Sequence, residues 1–186
     1  MITIFLSPRR LSWALAVVAF CGCSSSPAPL VATKMPSEPA NKARAPDFTL
    51  RDISGRRVRL SDYLGTHVIL IAFWATWCGP CVAEMPHLQR LYVTHSRERF
   101  VVLGVSMDGP ESIAEVAPRA RRYGVTFPVL LDEETRVVGL YNPRRDAPYS
   151  ILVDKSGAVV GSRVGYSPGD EQKLEADVQA LLRARP

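Results

Sequence analysis

The apolar run Val68-Ile69-Leu70-Ile71-Ala72-Phe73-Trp74, leading almost directly into Trp77-Cys78-Gly79-Pro80-Cys81, constrains this chain more than any other feature. The run has the length and β-branched content of a buried strand, and Cys81, Met85, Leu88 and Tyr92 then recur at helical spacing. Strand, CxxC and helix in that order form the context in which paired thiols exchange electrons with another disulfide.

Two other uses of the cysteine pair are weaker. A closed structural zinc site needs four ligands, and the remaining cysteines, Cys21 and Cys23, fall in an N-terminal targeting segment that does not supply them. A structural disulfide suits an exported protein, but closing so short a loop removes little chain entropy. His67, His87 and His95 share no metal-ligand spacing and read as surface or boundary residues. No metal site is expected.

The N-terminus sets the compartment. Arg9 and Arg10, an apolar stretch from Leu11 to Phe20 and a small-residue exit describe an export signal over residues 1–22, too short in its apolar part to span a bilayer. Gly22-Cys23 before Ser24-Ser25-Ser26 resembles a bacterial lipoprotein processing site, which implies lipidation at Cys23; Phe20 departs from the Leu favoured at its position. Residues 23–45 carry Pro27, Pro29, Pro36 and Pro39 among small polar residues and read as a flexible tether. A net charge of +5, two units of it from Arg9 and Arg10 in the segment to be removed, argues for neither nucleic acid nor a polybasic membrane patch.

Residues 46–186 suffice for one domain with its own core. Phe48 to Leu60 reads as a hairpin around Ser54-Gly55, followed by a turn at Ser61–Gly65 and the strand before the cysteines. Next come a helix from about Cys78 to Ser96, a strand Phe100–Ser106, a helix from about Glu111 to Tyr123 and a short strand Val129–Leu131. Ser150–Asp154 and Ala158–Val164 form a second hairpin, and Leu174, Val178, Leu181 and Leu182 mark a closing amphipathic helix. This pattern predicts an α/β fold, a mixed central sheet flanked by helices.

Several separated motifs, in order, carry a family resemblance. Pro46-Asp47-Phe48-Thr49-Leu50, Leu60-Ser61-Asp62-Tyr63-Leu64-Gly65, Phe73 to Cys81, Glu84-Met85-Pro86 and Pro148 to Asp154 resemble the TlpA/ResA-like branch of the thioredoxin superfamily, over essentially all of residues 46–186. The helix and strand between Ser106 and Pro148 look like that branch's central insertion, and the first hairpin like its N-terminal one. The resemblance implies a thioredoxin-like fold and an extracytoplasmic dithiol oxidoreductase on the periplasmic side of a bacterial envelope. Such proteins often serve as reductants in cytochrome c maturation or copper-site assembly. They act on protein thiols and disulfides, draw electrons from a membrane thiol donor, and use no cofactor beyond the redox-active disulfide, here Cys78-Cys81.

In that frame Cys78, at the helix start, is the expected nucleophile, because free N–H groups and the helix dipole favour its thiolate. Cys81, one turn inward, is the resolving thiol. Glu84 is expected near the thiols, where its carboxylate exchanges a proton with Cys81 while its charge opposes thiolate formation. Thioredoxin's buried Asp is replaced here by Ala72, which leaves Glu84 as the more natural proton acceptor. Pro148 matches the family's cis-proline. Trp77, Gly79, Pro80, Ala147 and Pro148 should form the surface that meets the partner, whereas Trp74 fits core packing equally well.

Two alternatives use the same cysteines. A copper(I) chaperone would exploit their soft thiolates, with Met85 as a third ligand if it were not needed for packing. A peroxiredoxin-like peroxidase would share the fold, but that pattern has Pro and Thr or Ser where this chain has Ile71 and Ala75.

Overall fold

The computed structural model describes residues 43–184. The expected export signal, Cys23 and the tether as far as residue 42 lie outside the described residues. In chain order the elements are β1 (Thr49–Asp52), β2 (Arg57–Arg59), β3 (Val68–Trp74), α1 (Gly79–His95), β4 (Phe100–Ser106), α2 (Ile113–Arg122), β5 (Val129–Leu131), α3 (Arg136–Tyr141), β6 (Tyr149–Val153), β7 (Val159–Val164) and α4 (Asp170–Arg183). A 3-10 turn at Leu60–Asp62 and another at Ser96–Glu98 complete them.

The strands make one seven-stranded sheet in the order β2-β1-β5-β4-β3-β6-β7. β3, β4 and β5 run parallel, whereas β6, β7, β1 and β2 attach antiparallel. Every residue of β3 and β4 is buried, which is why both read as unbroken apolar runs: a central strand must satisfy two cores.

Alternation along β3 sorts those cores. Val68, Leu70, Ala72 and Trp74 join Met85 and Leu88 of α1, Val116 and Ala120 of α2, and Leu174 and Val178 of α4. Ile69, Ile71 and Phe73 join Val137, Val138 and Tyr141 of α3 together with Phe48, Val58 and Leu60. Trp74 is therefore a core residue, 2 % exposed. Gly104 in β4 lies under this packing, since a Cβ there would come within 2.8 Å of the Phe127 ring. Phe127 is itself buried and cannot swing away.

Three expectations are corrected. The tether was expected to reach residue 45, but Ala43 and Ala45 bond to Val159 and Gly157 and Arg44 bridges to Ala158, so the sheet captures the chain before Pro46. The stretch before Pro148 contains α3, which periodicity missed: six residues give too few turns for a pattern, and its start relies on Asp132 accepting the Arg136 and Val138 N–H groups. His95 is buried between elements: Nδ1 lies 2.8 Å from Glu98 Oε1 and Nε2 lies 3.7 Å from Glu175 on α4.

Candidate active site

β3 ends at the C-terminal end of the parallel strands, and the chain turns there into α1. The turn is closed by the Cys78 N–H on the Ala75 carbonyl at 3.2 Å. Cys78 takes an extended conformation (φ −89°, ψ 102°) and caps α1 rather than opening it, one residue later than periodicity alone suggests. An N-cap side chain normally offers an acceptor to a free N–H of the first turn. Here that acceptor is sulfur: Cys78 Sγ receives the Cys81 N–H at 3.2 Å. Gly79 and Pro80 occupy the first two helical positions, where the missing proline N–H leaves no helical bond unmade.

The two sulfurs are joined at 2.01 Å, so the structure depicts the oxidised couple. Cys78 and Cys81 are 4 % and 1 % exposed, while Trp77 beside them is 63 % exposed. Gly79 and Pro80 are also exposed. A disulfide with limited access thus lies beside a bulky apolar residue that the described residues leave largely uncovered.

The Ala147–Pro148 peptide bond is cis. Its place follows from register: Phe73 pairs with Tyr149, which sets Pro148 beside the end of β3 from which the cysteine turn departs. Ala147 packs on the core cluster that includes both cysteines, and the Pro148 carbonyl accepts the Gly165 N–H at 2.8 Å. Arg144 pairs with Asp146 and Arg145 bonds Thr135, so both guanidinium groups are engaged along this loop.

Glu84 follows Cys81 on α1 and is half-buried in the wall of a cavity of about 280 Å³. His87, Arg163, Tyr166, Asp170 and Leu174 also line it, and neither cysteine does. Burial pushes the Glu84 carboxyl up from 4.5 to about 7; Asp170 adds repulsion, and Arg163 partly opposes both. Among the described residues, no group of three or more His, Cys, Asp or Glu side chains converges as a metal site.

Sequence reasoning passed over Asp108, Thr76 and Asn142, although all three are buried within the loops around the cysteines. Asn142 bonds Asp146 twice and shapes the approach to Pro148. The available signal was topological: Asp108 follows the C-terminal end of a parallel strand, where open α/β sheets place their sites.

Comparison with known proteins agrees with this geometry. The AhpC/TSA family model matches residues 42–162. Thiol-disulfide oxidoreductase ResA of Bacillus cereus is 34 % identical over 137 residues, covering 74 % of this chain and 76 % of the relative. The chain belongs to the AhpC/TSA family and to its ResA-like members. ResA of Geobacillus kaustophilus is 41 % identical over 115 residues, 62 % of this chain; the match spans 64 % of that relative's length, just under two thirds. Among solved structures, a candidate thiol:disulfide interchange protein DsbE from Chlorobium tepidum superposes with a TM-score of 0.70 at 31 % identity, over 76 % of this chain and 96 % of that one.

The raised Glu84 value has a consequence for stability. Between about 4.5 and about 7 the folded protein holds a proton that the unfolded chain has released, so this group's contribution falls as pH rises through that window. Glu84→Gln cannot ionise and should gain on the wild type by up to about 3 kcal/mol over the same window. Urea unfolding of both proteins at about pH 5 and about pH 8 measures this, and a constant difference between them would show that Glu84 is not desolvated in the fold.

Proposed function

We propose that this chain is an extracytoplasmic thiol-disulfide oxidoreductase that reduces disulfides in protein substrates. One observation carries the reading: the Cys78 sulfur, bonded to Cys81, sits on the N-terminus of a 17-residue helix and accepts one of its free N–H groups. Positive potential at that terminus favours negative charge on sulfur, and the thiolate is the attacking species.

In the reduced protein, the Cys78 thiolate attacks one sulfur of the partner's disulfide. The other partner sulfur leaves as a thiolate, and a mixed disulfide joins Cys78 to the sulfur attacked. Cys81 then loses its proton and attacks the Cys78 sulfur, closing the Cys78-Cys81 disulfide and expelling the second partner thiolate. Two electrons pass to the partner, and its thiolates take up two protons. Glu84, able to hold or release a proton near neutral pH, serves as the acceptor for Cys81 through its position one turn along the helix. A membrane thiol donor restores the dithiol; no other cofactor is required.

Trp77 supplies an exposed apolar platform for the partner, with Gly79 and Pro80 beside it and the cis Ala147-Pro148 bond next to the end of β3. The reducing direction is supported by the ResA-like membership and by Gly-Pro between the cysteines. A peroxidase reading lacks support because Ile71 and Ala75 are fully buried apolar residues with no hydroxyl to position a peroxide. Residues 1–22 act as an export signal, Cys23 as a lipid attachment site on the periplasmic side, residues up to 42 as the tether, and the sheet-forming part as the redox domain. Cytochrome c maturation or copper-site assembly are the processes into which such a reductant fits.

Equilibration of the Cys78-Cys81 couple against glutathione and dithiothreitol should give a potential near or below roughly −270 mV; a value near roughly −120 mV would make the protein a disulfide donor instead. Cys81→Ser, which cannot resolve, should accumulate mixed disulfides through Cys78 in cells, and recovery of no adduct would count against this exchange mechanism. Cys23→Ser should abolish fatty-acid labelling, whereas retained label would place the anchor elsewhere.

A further inference from the structure

The segment that follows β4 carries a buried carboxylate whose bonds converge on the cysteine turn. Asp108 is 0 % exposed. Thr76 donates to it twice, through Oγ1–H to Oδ1 at 2.5 Å and through its backbone N–H to Oδ2 at 3.0 Å. Ser106 Oγ–H donates to Oδ2 and Ser112 Oγ–H to Oδ1, each at 2.8 Å. A carboxylate has about four lone-pair positions, and here each meets a donor. Withdrawing such a group from water is costly unless it is bonded this completely, and two of its four donors belong to one residue, Thr76.

Thr76 lies inside the turn that aims the nucleophile. That turn runs from the Ala75 carbonyl to the Cys78 N–H, with Thr76 and Trp77 as its central residues. Cys78 is itself buried, but Trp77, Gly79 and Pro80 on either side of it are exposed, so the turn's own hydrogen bonds add to packing in fixing how the chain passes through Cys78. The β3–β4 ladder ends with Trp74 opposite Ser106. Beyond it, the Met107 N–H bonds the Trp74 carbonyl at 2.8 Å, and Asp108 then extends the connection to Thr76 through its side chain.

We infer that Asp108 is a positioning residue for the redox couple: through Thr76 it holds the turn that keeps the Cys78 sulfur on the α1 N-terminus. It touches neither sulfur by any bond in the structure, and it acts on the thiolate through the geometry of Thr76 and Ala75. The inference rests on the exchange reading of Cys78 and Cys81 for its functional meaning, but not for its test.

The test follows alkylation of Cys78 in the reduced full-length protein against pH, read by mass spectrometry of the Cys78 peptide, alongside thermal unfolding and insulin-disulfide reduction. Thr76→Val should raise the pH midpoint of Cys78 and slow alkylation near pH 7 by roughly three- to five-fold, the range expected when a helix-terminus interaction is weakened. Thr76→Ser should restore the wild-type profile. Asp108→Asn should shift the midpoint in the same direction as Thr76→Val, although removing a negative charge by itself would shift it the other way. A lowered melting temperature with an unchanged Cys78 profile in Thr76→Val would reduce Asp108 to a structural bond and overturn the inference. A lowered midpoint in Asp108→Asn would overturn it too, because charge and not position would then govern the thiol. Should Asp108→Asn fail to fold, the Thr76 pair decides alone. Failure of the wild type to reduce insulin would count against the exchange reading only, since the Cys78 profile still reports the clamp.

Discussion

The pairing of β3 on both edges and its burial on both faces govern the rest of the molecule. With β4 on one side and β6 on the other, the strand has no freedom of register, and a slip of one residue would exchange its two core faces. The chain is thereby delivered to one place at the C-terminal end of the parallel strands, where α1 must begin if Met85 and Leu88 are to reach the core shared with Leu70 and Val102. The cysteine pair inherits its position from that packing. Cys78 caps the helix, and its sulfur there gains both a hydrogen bond and a favourable potential.

Buried carboxylates recur as the devices that close loops around this framework. Asp52 accepts from Ser54 and Arg56 within the first hairpin turn. Asp132 receives the first N–H groups of α3. Asp108 does the same for the turn before the cysteines. Each meets several donors, which offsets the cost of leaving water. Glu84 differs in kind: only partial compensation comes from Arg163 while Asp170 repels it, and its carboxyl is accordingly pushed to about 7. A group held in that state is suited to moving protons, whereas the three aspartates are suited to holding shape.

The ResA-like membership and the site geometry bear on different questions. Membership places the chain among proteins named thiol-disulfide oxidoreductases. The geometry supplies a physical reason for such chemistry in this chain: a sulfur on a helix terminus, a second sulfur within bonding distance, an exposed tryptophan for contact and a carboxyl titrating near neutrality. Ala72, in the strand beneath the helix, adds no carboxyl to that core, and the perturbed carboxyl on α1 is Glu84.

Much of this was legible in the residues because it is local. An unbroken apolar run specifies a strand buried on both faces, the recurrence of Cys81, Met85 and Leu88 specifies which side of α1 faces inward, and Gly-Pro after Cys78 marks the first helical turn. The cysteine pair, Glu84 and Pro148 could be singled out by motif for the same reason. Other features arise only when distant segments meet. α3 is too short for its own pattern and forms because Asp132 and the core hold it; the capture of Ala43–Ala45 by β7 needs the closed sheet; the burial of His95 needs α4. Asp108 and Thr76 are 32 positions apart, and the bond between them exists because β3 and β4 end side by side. Sequence by itself determined every element but α3, the cysteine pair and the family, since these depend on neighbours along the chain. Tertiary structure decided which polar groups lose water together, and hence which loops are held and which carboxyl is perturbed, because desolvation depends on everything packed around a group and not on its neighbours in sequence.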